Sequence, residues 1–323
     1  MGEQMVSDFD LEVRRAELAV SRRQRMSLPF RLTSPVRALE HVLRRIVADR
    51  RLPGKVLSAL DEILPRVTTY GDTDVLRDAR RVAVIASYGV EATVSRSLLS
   101  LMEEFEAHGY TVVLVRASDS MHKPVWSGSS SISPIVIAKP NVGYDFGSWA
   151  TALALFPQIA SAERVILVND SLVGPFASLS TMMADFEQSF SDVWGATDTL
   201  EYIPHLQSYL LGFTGGVLMH PSLQSFWRHV RVIEDKDAIV ARYEIGLSRL
   251  VSREGFLTRS WFSHHVIVPE GGNPTTIGGS RLVKAGFPFV KRILVDNPDV
   301  FPDAAVAVQA VRELYNENVA DWL

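Results

Sequence analysis

Three consecutive polar residues, Asn169, Asp170 and Ser171, follow directly on a short β-branched run. A carboxylate at the end of a buried strand has two natural uses: holding a hard divalent cation through oxygen, or binding a ribose hydroxyl. Mg²⁺ usually takes only one or two carboxylates along with substrate phosphates, so a single Asp is compatible with metal. The same Asp could instead make a local turn ahead of Gly174-Pro175. A second polar cluster, NVGYDFG over residues 141–147, supplies Asn141, Gly143 and Asp145. Its glycines allow backbone to come close to a ligand, and a helix starting there attracts anions. Turn formation and capping are the alternative work for Asn141 and Asp145. The loop follows neither the G-x-G-x-x-G dinucleotide pattern nor the G-K-[ST] of a Walker loop.

Further along, Glu244 opens a helical pattern, EIGLSRLVSREGF. The helix dipole favours a glutamate there whatever its use, and in a cleft it could serve as a general base. His205, Gln207 and Tyr209 alternate and so share one face of a strand, which could line a site. A satisfied buried histidine is the commoner outcome. His264 and His265 are adjacent and do not form a metal motif. Lys291-Arg292 could neutralise a diphosphate, or could be ordinary surface residues.

The elements that must position these residues alternate. Strands are predicted over 81–87, 110–116, 134–138 and 164–168, with helices over 95–107 and 147–156 between them. That alternation means a mainly parallel sheet with helices on both faces, and ligands bind outside the carboxyl ends of such strands. Beyond Pro175 the pattern predicts a helix over 179–190 and strands over 193–196, 205–213, 216–219 and 266–268. It also predicts helices from Pro221 and over 243–254, a glycine-rich loop over 271–280, and a C-terminal helix from Asp303. Ahead of the sheet, Ser34-Pro35 starts one amphipathic helix and residues 56–64 form another. The expected division is an N-terminal helical, arginine-rich extension over 1–78, an α/β domain over 79–300 and a helix over 301–323.

Composition narrows the class. The chain has 323 residues, 47% of them hydrophobic, and a net charge of -4, which argues against a general nucleic-acid binder. It has no cysteine, so disulfides, zinc-thiolate sites and thiol nucleophiles are excluded. No apolar run approaches the ~18 residues of a membrane span, and the first residues are too polar for a secretory signal. A cytoplasmic location is expected. Between residues 14 and 55 stand twelve Lys or Arg against Glu17, Glu40 and Asp49. That excess could rest on an anionic membrane surface, or be a solvated helical face.

The ordered blocks KPNVGYDFGSW, VILVNDSLVGPF, VWGATDT, HLQSYLLGF, FW, YEIGLS and PFVKR resemble the rhamnan synthesis protein F family of bacterial polysaccharide glycosyltransferases, over about residues 80–297. The resemblance implies a glycosyltransferase-A-like fold around a nucleotide-sugar site, and inverting transfer of the sugar. It places Asn141, Gly143 and Asp145 beside the nucleoside. Asn169, Asp170 and Ser171 stand where the fold usually carries Asp-x-Asp, so Asp170 alone is the metal candidate, for Mg²⁺ or Mn²⁺. Lys291 would lie on the diphosphate. Glu244, with Asp198 as second candidate, would be the catalytic base, and His205, Gln207 and Tyr209 would shape the sugar or acceptor side. The implied donor is dTDP-L-rhamnose or a related nucleotide-diphosphate sugar. The implied acceptor is a lipid-linked glycan of the cell surface, reached at the inner face of the membrane through the basic N-terminal segment. The rival from another class is a non-catalytic glycan- or nucleotide-binding module. A nucleotidyltransferase fits less well, because SYGVEATVSRS after the first strand has one glycine and only Arg96.

Overall fold

The computed structural model describes residues 57–126 and 130–323. The amphipathic helix starting at Ser34-Pro35 and the basic stretch over 14–55 lie outside these residues. The strands are β1 (Thr68–Tyr70), β2 (Arg81–Tyr88), β3 (Thr111–Ala117), β4 (Ile135–Lys139), β5 (Arg164–Asn169), β6 (Leu172–Val173), β7 (Val193–Thr199), β8 (His205–Leu206), β9 (Leu210–Thr214), β10 (Thr258–Phe262) and β11 (Val290–Lys291). The main sheet runs β1-β4-β3-β2-β5-β9-β7-β10, with β8 on β7, and β11 pairs β6 in a separate ribbon. Strands β4, β3, β2 and β5 are mutually parallel. β9 is antiparallel to both β5 and β7, so β7 points the same way as β5, and β10 runs parallel to β7. Six strands therefore end at one edge of a mixed, mainly parallel sheet, as the alternation predicts.

The continuous apolar strands are buried on both faces. On β2, Val82, Val84 and Ala86 point into one core, and Ala83 and Ile85 into another. The first core packs helix Tyr144–Leu155, helix Pro221–Arg228 and helix Ile245–Arg253 against the sheet. Phe146 is its centre, stacked at 5.8 Å on Trp227 and 5.3 Å on Tyr243, with Trp149 edge-on at 5.2 Å. The second core packs helix Arg96–Ala107 and helix Ser180–Glu187, together with Phe287 and Phe289. A third cluster seats helix Ala304–Tyr315 on Val173, Val290 and Leu294. It fastens the β6–β11 ribbon, and with it Lys291, to the body of the protein.

Five local expectations need correction. The glycine-rich loop expected over 271–280 holds a short helix, Pro274–Ile277, and the start of another, Gly279–Lys284. The strand expected over 216–219 is a single 3-10 turn, Val217–Met219. Gly215 and Gly216 both take positive φ and end the extended chain after β9. The strand expected over 266–268 lies largely in a helical turn, His264–Ile267, capped by the Ser263 hydroxyl. A run of three apolar residues cannot distinguish a strand from a helical turn. The strand expected over 205–213 is broken into β8 and β9 by a turn at Ser208-Tyr209. The helix expected over 243–254 begins as a wide π turn, Val240–Glu244, before helix Ile245–Arg253. β1 and β10 were not expected, because both are short, partly exposed edge strands without an apolar run.

Candidate functional site

The predicted polar clusters meet at the carboxyl edge of the sheet. β5 ends in Asn169, Asp170 and Ser171, and β4 ends in Lys139 ahead of the loop over 140–143. Lys139 is fully buried and its ammonium donates to the carbonyls of Pro140 (3.0 Å) and Val142 (2.7 Å), which fixes that loop. Burial pulls its pKa down to about 8, and the charge of Asp145 acts the other way. Gly143 takes φ +80°, and a Cβ there would lie 3.1 Å from the Gly147 Cα and 3.2 Å from the Ala59 Cβ. That face of the glycine is taken by the chain's own helices. Gly143→Ala should therefore lower stability by at least the ~1–2 kcal/mol of the left-handed backbone, with the close contacts adding to it, read as a lower urea midpoint. Asn141 is exposed at the loop.

A directed hydrogen-bond chain links four of the predicted residues. The Lys291 ammonium donates to Ser171 Oγ at 2.7 Å, and the Ser171 hydroxyl donates to Asn169 Oδ1. The Asn169 amide then donates to Asp145 Oδ2 at 2.7 Å. Burial, and then the negative charge of Asp170, push the Asp145 carboxyl up to about 6, while the Asn169 bond and the charges of Lys291 and Lys139 oppose that. Lys291 stands 4.3 Å over the Tyr209 ring. The Tyr209 hydroxyl is 2.7 Å from Thr197 Oγ1, which in turn donates to Gln207 Oε1 at 2.7 Å. A carboxamide oxygen only accepts, so the Thr197 proton goes to Gln207 and Tyr209 donates to Thr197. The Gln207 amide then donates to Asn273 Oδ1 at 3.1 Å. Gln207 and Tyr209 thus converge on Thr197, and Tyr209 contributes the seat under Lys291.

Glu244 lies across from Lys291, and its charge acts on that ammonium. The break between β8 and β9 turns the Ser208 N–H and hydroxyl toward Glu244 Oε2, the N–H at 3.2 Å. Glu244 Oε1 is 3.1 Å from His205 Nε2, and His205 Nδ1 is 2.7 Å from the Ile203 carbonyl oxygen. A carbonyl cannot donate, so Nδ1 carries a proton, and the second proton is shared between Nε2 and the carboxylate. Burial would raise the Glu244 pKa, yet the His205 and Ser208 hydrogen bonds and the His205 charge hold it below the ordinary range. Burial would lower the His205 pKa, yet Glu244 and the Ile203 carbonyl hold it above. The pair is therefore ionic.

The pH dependence follows from those two directions. The raised histidine gives stability that is complete below its ordinary 6.5 and is lost as pH climbs through the raised value. The depressed glutamate gives stability present above its ordinary 4.5 and lost as pH falls through the lowered value. Both charges are in place between the two. His205→Gln is expected to cost more stability near about pH 5.5 than near about pH 9. Equal urea-midpoint losses at the two pH values would show that the pair is not ionised.

Asp170 and Asp198 have separate settings. Asp170 Oδ2 accepts from the Ser87 hydroxyl at 2.8 Å and the Tyr88 N–H at 3.0 Å. Its Oδ1 makes no hydrogen bond among the described residues. Asp198 Oδ1 accepts from the His264 N–H at 2.6 Å and from Nδ1 at 2.9 Å. Among the described residues no group of three or more His, Cys, Asp or Glu could hold a metal ion. Sequence reasoning did not single out Ser87, Thr197, Ser208, Asn273, Lys139 or Arg116. Lys139 and Arg116 share one signal, a cation at the end of an apolar strand.

Comparison with known proteins adds the family. The model described as "Rhamnan synthesis protein F" matches residues 125–314. "Virulence protein VirA" of Vibrio anguillarum is 28% identical over 210 residues, covering 55% of this chain and 67% of that protein. "Uncharacterized protein y4gN" of Sinorhizobium fredii is 27% identical over 168 residues, covering 50% of this chain and 43% of that one. No helix among the described residues is long and apolar enough to cross a membrane.

Proposed function

The chain belongs to the rhamnan synthesis protein F family, and from that premise we propose that it is an inverting glycosyltransferase of polysaccharide synthesis with a glycosyltransferase-A-like fold. The observation that carries the reading is that the Lys291 ammonium, seated on Ser171, feels the charges of both the Glu244 carboxylate and Asp170, whose Oδ1 is free among the described residues. The donor is a nucleotide-diphosphate sugar, dTDP-L-rhamnose or a related hexose, and the acceptor is a glycan hydroxyl, lipid-linked in the cell.

In this reading the loop of Asn141, Gly143 and Asp145 lies at the nucleoside end. Lys291 meets the diphosphate and stabilises the negative charge that grows on it as the glycosidic bond breaks. Glu244, or else Asp198, takes the proton of the acceptor hydroxyl as that oxygen attacks the anomeric carbon. His205 orients Glu244, and Gln207 and Tyr209 shape the sugar side of the site. A Mg²⁺ or Mn²⁺ ion would be held by Asp170 Oδ1 together with donor phosphates, and would supply further charge neutralisation. One carboxylate with phosphates suits Mg²⁺, so the residues present are compatible with such an ion.

The test offers purified protein a panel of nucleotide sugars with a glycan acceptor. Transfer from one of them is the expected result, and absence of both binding and hydrolysis across the panel removes the enzyme reading. Binding of nucleoside diphosphate without turnover would favour the second reading, a binding module. The observation on its side is that both Glu244 oxygens already accept hydrogen bonds.

A further inference from the structure

Arg116 is a buried cation for which the reading above has no use. It stands at the end of β3 with 6% of its surface exposed. Its Nη1 donates to Ser87 Oγ at 2.6 Å and to the Tyr88 carbonyl at 3.1 Å, and its Nη2 donates to the Glu91 carbonyl at 3.1 Å. Ser87 has one hydroxyl proton, and that proton goes to Asp170 Oδ2. The order of donation is therefore Arg116 to Ser87 to Asp170, across three neighbouring strand ends. The chain is shaped to admit the guanidinium. A Cβ on Gly89 would fall 1.7 Å from Arg116 Nη2, so a side chain there would push the guanidinium out of this position.

We propose that Arg116 is a positioning residue of the donor site, which acts through Ser87 to lock the Asp170 carboxylate with Oδ2 turned inward and Oδ1 turned to the ligand. Stapling the turn over 88–91 would need donors but no charge, and burying a charge is costly. A cation one hydroxyl away from a carboxylate polarises the intervening O–H and strengthens its bond to Asp170. It also leaves the carboxylate a single oxygen, so Asp170 binds its ligand at one point. The proposal rests on the donor-site reading for its consequence, while the linkage itself does not.

The experiment is a double-mutant cycle. Arg116→Gln and Ser87→Ala are made alone and with Asp170→Asn, and the affinity for dTDP and for UDP is measured by calorimetry with and without Mn²⁺. Each single variant is expected to weaken binding about 5–10-fold when Asp170 is present and less than about twofold when Asn stands there. A purely structural role predicts the same loss in both backgrounds, and that result, or no loss at all, overturns the proposal. Ser87→Ala deletes only a hydroxyl and keeps the test readable if Arg116→Gln does not fold. Should the unaltered protein bind neither diphosphate, the donor-site reading fails, and the Arg116–Asp170 cycle is read in urea midpoints. Non-additive losses there sustain the positioning link, because the two side chains do not touch, and additive losses overturn it.

Discussion

Glu244→Gln is expected to lower sugar transfer by about 10²–10⁴-fold while the nucleoside diphosphate still binds. The substitution keeps the shape of the side chain and removes its basicity. It also separates the two candidates for the base. Asp198 accepts twice from His264, through the backbone N–H and through Nδ1, and its tie is to the turn His264–Ile267. Glu244 stands nearer the charge of Lys291, which its carboxylate stabilises. Asp198→Asn should therefore disturb the His264 turn and cost stability before it costs chemistry. The three donors on Glu244 make it a weak base but keep it ionised at neutral pH. The acid limb of the rate profile is thus expected below the ordinary carboxylate range, as the depressed pKa requires. Steady-state rates of the two amide variants, each measured where its urea curve shows the protein fully folded, decide the matter. A Glu244→Gln enzyme with full transfer would take that residue out of the mechanism.

What could be read from the sequence follows from how local each signal is. The run RVAVIAS announces a parallel strand, because five consecutive apolar residues, three of them β-branched, fit a strand buried on both faces. β10, TRSWF, is half-exposed at the sheet edge and carries no such run. The site divides in the same way. Asp170 was legible because a carboxylate directly after an apolar strand falls at the ligand-binding edge in any such sheet. Its partner Ser87 sits 83 residues away, and nothing in SYGVE distinguishes a serine that will meet it. The alternation of His205, Gln207 and Tyr209 predicts one strand. The turn at Ser208-Tyr209 sends His205 to Glu244 and the other two to Thr197, a division that tertiary contacts impose. Gly143 was noticed for its freedom, yet its missing Cβ makes room for Gly147 and Ala59. Arg116, an arginine ending a strand, reads as a surface residue until the fold closes over it.

Lys291 should make donor binding fall off on the alkaline side. Burial pulls its pKa down to about 8, although the carboxylates of Glu244, Asp145 and Asp170 resist that. The sign is set by which form each state prefers. An unfolded lysine is protonated up to about 10.4, whereas the folded site releases the proton at about 8. Folding stability is thus lost as pH falls through that interval, because the charged ammonium sits in a poorly solvated place. A diphosphate supplies the missing counter-charge and raises the pKa again. Binding measured near about pH 8.5 should take up protons, detectable as a dependence of the binding enthalpy on buffer ionisation, and affinity should fall toward tenfold per unit at higher pH. Lys291→Met should abolish the proton uptake and lower transfer by about 10²–10³-fold, the usual cost of removing one group that stabilises developing charge. The Tyr209 ring and Ser171 hydroxyl that seat the ammonium would remain in that variant. Unchanged proton uptake after the substitution would assign the titration to another group, with Asp145, at about 6, excluded by its lower range.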